Sequence, residues 1–488
     1  MSAATQLADF IAASPLQLIR FVWCDPHDTL RAKALTAEAA CNVLRSGAGV
    51  GMVSTLMLKD TSDKTAFKVF EASITQALPG FEFANNLILQ PVPDSFRVLP
   101  WAHQTGWILC EPQFQNGQPV PFDTRSQLRQ ALARLAQRGL GMTCGLEIEF
   151  HIYKLHNPDH GDDLNPDHAA WPGDGPAVSM IHPGYQLLSE HWLDVCEAPL
   201  RIVQQTAQEL GLPLLSLEIE MGPSQVEVVF APTDALTAAD NMVRFRSAVR
   251  QALRRAGYHA TFVCRPPFEQ IMSSGWHLHQ SLVDLKTGAN AFMRDAPASG
   301  TTAKDATHTL SALGAHYLAG LLAHANGAAV LCTPTANGYA RFQPNALAPQ
   351  SVVWGRDNRG AMLRVIGGAH DASTRIENRL GEPAANPYLY LASQIHGGWL
   401  ASKALLRYHP RPSRPTMTPL NAFQIRWVPP SAPSRPTQPC ATVLARRSST
   451  TTRNLKKPSS RVLKPLPIKT ISKGANTSAV SKPLSRAS

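Results

Sequence analysis

Apolar and polar residues alternate strictly over Gly145–Tyr153. Leu146, Ile148, Phe150 and Ile152 fall on one face and Glu147 and Glu149 on the other, which predicts a strand buried on one side. Three further stretches share this construction. In Leu217–Glu227, Glu220 and Glu227 flank a Gly222-Pro223 turn; in Gly275–Leu282, His277, His279 and Ser281 oppose Trp276, Leu278 and Leu282; in Arg375–Leu380, Arg375, Glu377 and Arg379 share a face. Helical periodicity predicts a helix over Ser126–Leu140, with Leu128, Ala131, Leu132, Leu135 and Ala136 in one stripe. A second is predicted over Asp234–Ala256, with apolar residues at 235, 238, 239, 242, 245, 249, 252 and 253 and Gly257 where a cap belongs.

Residues from about Leu16 to Leu109 carry short apolar runs, Leu16–Trp23 and Val98–Trp101 among them, broken by Gly and Pro, as in a small mixed α/β unit. Gln115–Pro119 reads as a turn at a domain boundary, and 156–185, rich in His, Asp, Pro and Gly, as a long surface loop. No apolar run is long enough to span a membrane, and no basic residue precedes Arg20, so a cytoplasmic protein is expected. The eight cysteines form no C-x-x-C pair, which favours reduced core thiols.

Charge divides the chain. The net +11 resides in the tail: residues 401–488 hold 17 Lys and Arg and no acid, leaving 29 basic against 35 acidic residues before them. The body is mildly acidic, so nucleic acid is not expected as a partner. Residues 403–488, filled with Pro, Ser, Thr, Lys and Arg, bury too little apolar surface to order themselves and are read as a disordered basic tail.

Any one of the charged strand faces would fit an ordinary wet strand face or a surface ion-pair ladder. Together, five carboxylates (Glu147, Glu149, Glu220, Glu227, Glu377) and one imidazole (His277) make an oxygen-dominated donor set suited to Mg²⁺ or Mn²⁺ rather than zinc. Arg341, Arg359, Arg364, Arg375 and Arg379 fall in one third of the chain, as a site for phosphates and a carboxylate substrate requires.

These segments resemble glutamine synthetase. Its E-x-E strand is similar to Glu147-Ile148-Glu149, its E…G-P-x-Q-x-E to Glu220–Glu227, its S-G-x-H-x-H-x-S-L to Ser274–Leu282 and its N-x-Y-x-R to Asn337–Arg341. Its N-R-x-x-x-x-R resembles Asn358–Arg364, and its R-I-E-x-R…A-N-P-Y resembles Arg375–Tyr388. The order and spacing agree over roughly residues 16–400. The resemblance implies an α+β protein: a small N-terminal β-grasp domain (1–112), then a catalytic domain (118–402) whose antiparallel strands line a funnel with helices outside, assembled into a homo-oligomeric ring. It implies an ATP-dependent ligase that phosphorylates the γ-carboxylate of glutamate and forms an amide with ammonia or an amine, using two or three Mg²⁺ or Mn²⁺. By motif, Glu149, Glu220 and Glu227 hold one cation and Glu147, His277 and Glu377 another. His279, Ser281 and Arg375 contact ATP; Arg341, Arg379 and Gly275 hold the substrate; Arg359 and Arg364 face the transferring phosphate. Asp25 resembles the Asp that the family lends to a neighbouring subunit, although Asp28 stands where the family has Gly.

Two departures carry expectations of their own. Ammonia-using relatives have Glu at the position of Leu347, and their Asn-Gly is replaced here by Met272-Ser273; both changes favour an organic amine or polyamine over ammonia. The family pattern runs to Ala392–Gly398, where the family has A-G-L-D-G-I followed by an acidic helical segment; from about Trp399 the sequence instead turns basic and Pro-rich, a switch that resembles loss of reading frame near Gly398. The alternative reading is therefore a catalytically impaired, truncated family member.

Overall fold

The computed structural model describes residues 1–156, 175–296, 309–343 and 347–399. The basic tail predicted over 403–488 lies outside them. The remaining residues build two sheets in a mixed α+β arrangement, and among the described residues no helix is long and apolar enough to cross a membrane.

The first sheet comprises β1 (Leu18–Cys24), β2 (Leu30–Thr36), β3 (Val50–Val53), β4 (Asn86–Pro91), β5 (Arg97–Val98) and β6 (Thr105–Gln113), in the order β2-β1-β6-β4-β3 with β5 also on β6. Within it β1 and β6 run parallel. Helices Ala3–Ala13 and Ala37–Ser46 cover it, and Ile11, Phe21, Trp23, Leu44 and Leu89 belong to their shared core. Of the run Val98–Trp101 only Val98 is strand, because Pro100 has no N–H for a ladder. Gln115–Pro119 is a turn in which the Phe114 N–H donates to the Gln118 carbonyl at 2.8 Å.

The second sheet contains β7 (Leu140–Leu155), β8 (Val178–Met180), β9 (Leu214–Ile219), β10 (Gln225–Asp234), β11 (Tyr258–Thr261), β12 (Trp276–Asp284), β13 (Trp354–Arg356), β14 (Leu363–Ile366) and β15 (Arg375–Gly381). Its order is β13-β14-β15-β12-β7-β10-β9, with β8 and β11 also on β7. The expected antiparallel pairing holds from β14 to β9, whereas the three-residue edge strand β13 runs parallel to β14. Of the loop predicted over 156–185, Val178–Met180 is strand instead: pairing with Tyr153–Leu155 satisfies its backbone groups. Residues 157–174 of that loop are outside the described set.

The alternation in β7 does what the sequence predicts. Leu146, Ile148, Phe150 and Ile152 are buried, and Phe150 stacks on Phe262 with ring centroids 4.8 Å apart. Helices Thr124–Ala136 and Ala235–Arg255 pack on β7, and Pro387–Trp399 packs on both of them and on Ala312–Cys332. The helix Ala235–Arg255 begins where the Asp234 carboxylate accepts the Leu236 and Thr237 N–H groups at 3.1 and 3.0 Å, and it stops before Gly257, at φ +81°.

Sequence periodicity assigns this helix one apolar stripe, yet its polar side is buried as well. Asp240 accepts two bonds from Arg125, at 3.0 Å each, and one from the Tyr388 hydroxyl at 2.8 Å; Arg125 also donates to Glu111 of β6 at 2.5 Å. A charged network therefore joins the last strand of the first sheet to the helices behind the second. The seven cysteines among the described residues are free and buried.

Candidate active site

Backbone register alone assembles the chemistry. Glu149 of β7 lies opposite Glu227 of β10, and Glu147 lies opposite His277 of β12. His279 of β12 lies opposite Glu377 of β15, which lies opposite Arg364 of β14. Because cross-strand partners stand on the same face, five adjacent strands present one continuous row of acids, imidazoles and a guanidinium. Glu220 joins the row from the β9–β10 turn, where its N–H donates to the Gln225 carbonyl at 2.9 Å.

Three sets of these side chains bring one ligand atom each to within 4.8 Å of one another: Glu149/Glu220/Glu227, Glu147/Glu227/His277 and Glu147/His279/Glu377. His277 Nδ1 lies 3.2 Å from Glu147 and 3.8 Å from Glu377, and its Nε2 is 3.7 Å from Glu149. His279 Nε2 is closer still to Glu147, at 2.8 Å. The nucleotide-contact residue expected by resemblance therefore stands among the acidic groups, beside the expected ligand His277.

The two ends of the row differ electrostatically. Burial, and then the charges of Glu149, Glu147 and Glu220, pushes Glu227 up to about 10. Burial and then Glu220 raise Glu149 to about 7, against the pull of Arg341. Burial raises Glu220 too. At the other end burial also penalises Glu147, but hydrogen bonds with His277 and His279 outweigh it and hold the carboxyl well below its ordinary range. Glu377 is likewise lowered overall, its burial outweighed by His277, Arg379 and His279. Burial lowers His277 to about 4 despite Glu147, which leaves a neutral imidazole at pH 7. One end is thus short of positive charge, while the other is compensated by the protein itself.

The remaining predicted residues divide by location. Gly275 donates its N–H to Glu149 Oε2 at 2.8 Å, and a Cβ there would run into the Arg341 guanidinium. Arg341 is buried and donates to the carbonyls of Arg379 and Gly381 at 3.0 and 3.1 Å. Arg379 pairs with Glu377, and Arg364 bridges Glu377 and Asp357 at 3.0 and 2.5 Å. Arg375 donates to His279 Nδ1 at 3.0 Å, and Ser281 continues the same face of β12 opposite Thr143.

Two predicted residues are not drawn into the row. Arg359 is exposed on the turn between β13 and β14. Asp25 is buried in the β1–β2 loop, where it accepts from the N–H groups of His27 and Thr29 and from Arg31. In that loop Asp28 takes the left-handed conformation, φ +66°, that glycine favours, and is held by Arg246 and by Cys24 Sγ at 3.0 Å. Sequence reasoning gave no role to Asp357 or Gln225. Gln225 was legible, since it stands two residues before Glu227 on the same strand face.

The chain matches known proteins in sequence and in fold. The profile of the glutamine synthetase catalytic domain matches residues 121–403. The chain is 37% identical over 407 residues to a gamma-glutamylanilide synthase of an Acinetobacter species, an alignment covering 81% of this chain and 77% of that protein. It is 28% identical over 407 residues to a glutamate–isopropylamine ligase of a Pseudomonas species, covering 80% and 79%. A solved structure described as a GmaS/ADP complex superposes with a TM-score of 0.61 at 26% identity, covering 81% of this chain and 80% of the other. Order of motifs and extent of match agree, and the chain belongs to the glutamine synthetase family of ATP-dependent carboxylate–amine ligases.

Proposed function

We propose that this chain activates the γ-carboxylate of glutamate with ATP and transfers it to an organic amine. The observation that carries the reading is the row of carboxylates across β10, β7, β12 and β15, with one cluster of acids, Glu149, Glu220 and Glu227, that among the described residues forms no ion pair with Lys or Arg. Members of this family use ATP and divalent metals. Here the donor chemistry fits them: Glu149, Glu220 and Glu227 offer oxygens whose ionised forms repel one another and which a cation would hold together, and neutral His277 can ligate. Glu149, Glu220 and Glu227 would hold one Mg²⁺ or Mn²⁺, and Glu147, His277 and Glu377 a second, with His279 at its edge; two or three ions are expected in all. Such ions supply Lewis-acid screening of the phosphoryl oxygens.

The side chains do the rest. His279, Ser281 and Arg375 orient ATP, and Arg364 with Arg359 draws the γ-phosphoryl charge. Arg341, Arg379 and the Gly275 backbone position the glutamate. A γ-carboxylate oxygen attacks the γ-phosphorus and ADP leaves; the amine nitrogen then attacks the acyl carbon and phosphate leaves. By the family resemblance Asp25 would take up the amine's proton in a neighbouring copy of a ring, which requires its release from Arg31 and from the His27 and Thr29 N–H groups. Ordering of these groups around the acyl phosphate keeps water from it.

The organic acceptor rests on Leu347, whose carbonyl accepts from Arg379 at 3.3 Å while its side chain is 62% exposed. An apolar group beside the substrate arginine suits an alkyl or aryl amine. The relatives named for anilide and isopropylamide products point the same way. The test is ADP release by the purified full chain with glutamate and a panel of mono-, di-, poly- and aryl amines; ammonium outperforming all of them would reject the preference. A second reading, an impaired family member, is favoured by the family match ending at residue 403 of 488, ahead of the basic tail. No turnover with any amine would support it.

A further inference from the structure

Gln225 opens β10 and is 1% exposed. One hydrogen of its carboxamide goes to Glu149 Oε2 at 3.1 Å and the other to Ser274 Oγ at 3.0 Å, while its Oε1 accepts the Gly222 N–H at 2.8 Å. Donors and acceptor are all used, and the orientation of the amide is fixed: turning it over would set its NH₂ against the Gly222 N–H. The approach is close, since a Cβ at Gly222 would lie 2.5 Å from Gln225 Oε1. Glu149 Oε2 also accepts from Gly275 N–H, so this oxygen is committed to two donors and Oε1 is the one left facing His277 and the acidic cluster. The backbone of Gln225 meanwhile holds Glu220 through its carbonyl.

We infer that Gln225 is a positioning residue for the Glu149/Glu220/Glu227 cation site, selecting which oxygen of Glu149 faces the ion. This rests on the reading of those three acids as ligands. A neutral donor suits this position, because Lys or Arg would add positive charge against the cation and an apolar residue would leave the carboxylate free to rotate. Among the described residues its side-chain hydrogen bonds reach only Glu149, Ser274 and Gly222, and none reaches Glu147, His277, His279 or Glu377. Its direct contacts therefore favour one of two neighbouring sites over the other.

The experiment is Mn²⁺ titration of metal-free full-length protein by electron paramagnetic resonance, without nucleotide, with Glu220→Gln identifying which affinity belongs to the three-acid site. Gln225→Met weakens that affinity by about 10–100-fold and leaves the other within about threefold. Ser274→Ala, which removes an acceptor but not the donor to Glu149, leaves both within about threefold. Equal affinities in wild type and Gln225→Met overturn the inference. So does equal weakening of both sites, or the same selective loss in Ser274→Ala. Wild type binding no Mn²⁺ at all instead rejects the ligand assignment beneath it, and this inference with it.

Discussion

The three-acid end of the row makes metal affinity a function of pH, and the size of the effect follows from the groups that must lose protons. In the metal-free chain Glu227 is pushed up to about 10 and Glu149 to about 7, each by burial and then by neighbouring acids. Both folded-state values lie above the ordinary carboxylate range, so both groups hold protons at pH values where an unfolded chain has released them. A cation binds the ionised forms and expels those protons. Between pH 7.5 and 8.5 about one proton leaves, from Glu227, and affinity rises about tenfold per pH unit, or about 1.4 kcal/mol. Between pH 5.5 and 6.5 Glu149 adds a second, and the rise approaches a hundredfold per unit. The stability sign follows: raised carboxyl values destabilise the metal-free fold progressively as pH climbs from about 4.5 towards about 10, so the melting-temperature gain from Mn²⁺ grows over the same window. Calorimetric titration with Mn²⁺ in buffers of different ionisation enthalpy counts the protons directly, and Glu227→Gln lowers the count at pH 8 by about one. An affinity flat from pH 6 to 9, or binding with no proton release, refutes the reasoning.

Leu347→Glu places a carboxylate next to Arg379, and the ratio of ammonium to isopropylamine turnover, read as ADP release, rises by about tenfold; an unchanged ratio separates this position from acceptor choice. Asp240→Ala leaves the buried Arg125 guanidinium without its two-pronged partner and costs about 3–5 kcal/mol in urea denaturation of the metal-free protein, whereas a loss below about 1 kcal/mol shows the network to be slack. If the reading frame shifts near Gly398, one of the other two frames downstream encodes an acidic helical segment; sequencing the gene and translating all frames checks this, and two frames without such a segment dismiss it.

The site was legible in the sequence to the extent that it is a matter of strand period. In β7 and β12 the side-chain face follows from position alone, so Glu147, Glu149, His277 and His279 could be placed together before any fold was known. Register was not legible: nothing local states that Glu149 meets Glu227 or that His279, rather than His277, lies opposite Glu377, because those pairings are set by packing between segments more than 70 residues apart. Nor was the buried polar side of Ala235–Arg255. Periodicity marks which face is apolar, but whether the opposite face meets water or an Arg125–Asp240–Tyr388 network depends on what the rest of the chain brings to it. The strand at Val178–Met180 was hidden for a related reason: three residues carry no period, and only an available edge makes them a strand.

Because the donors are cross-strand partners, a single inserted or deleted residue inside β10, β7, β12 or β15 rotates the donors beyond it to the opposite side of the sheet, into the apolar layer beneath the helices. The cluster then loses members outright instead of loosening by degrees. Added or removed residues are accommodated without this loss only in the connections between strands, where the pairing register is left as it was.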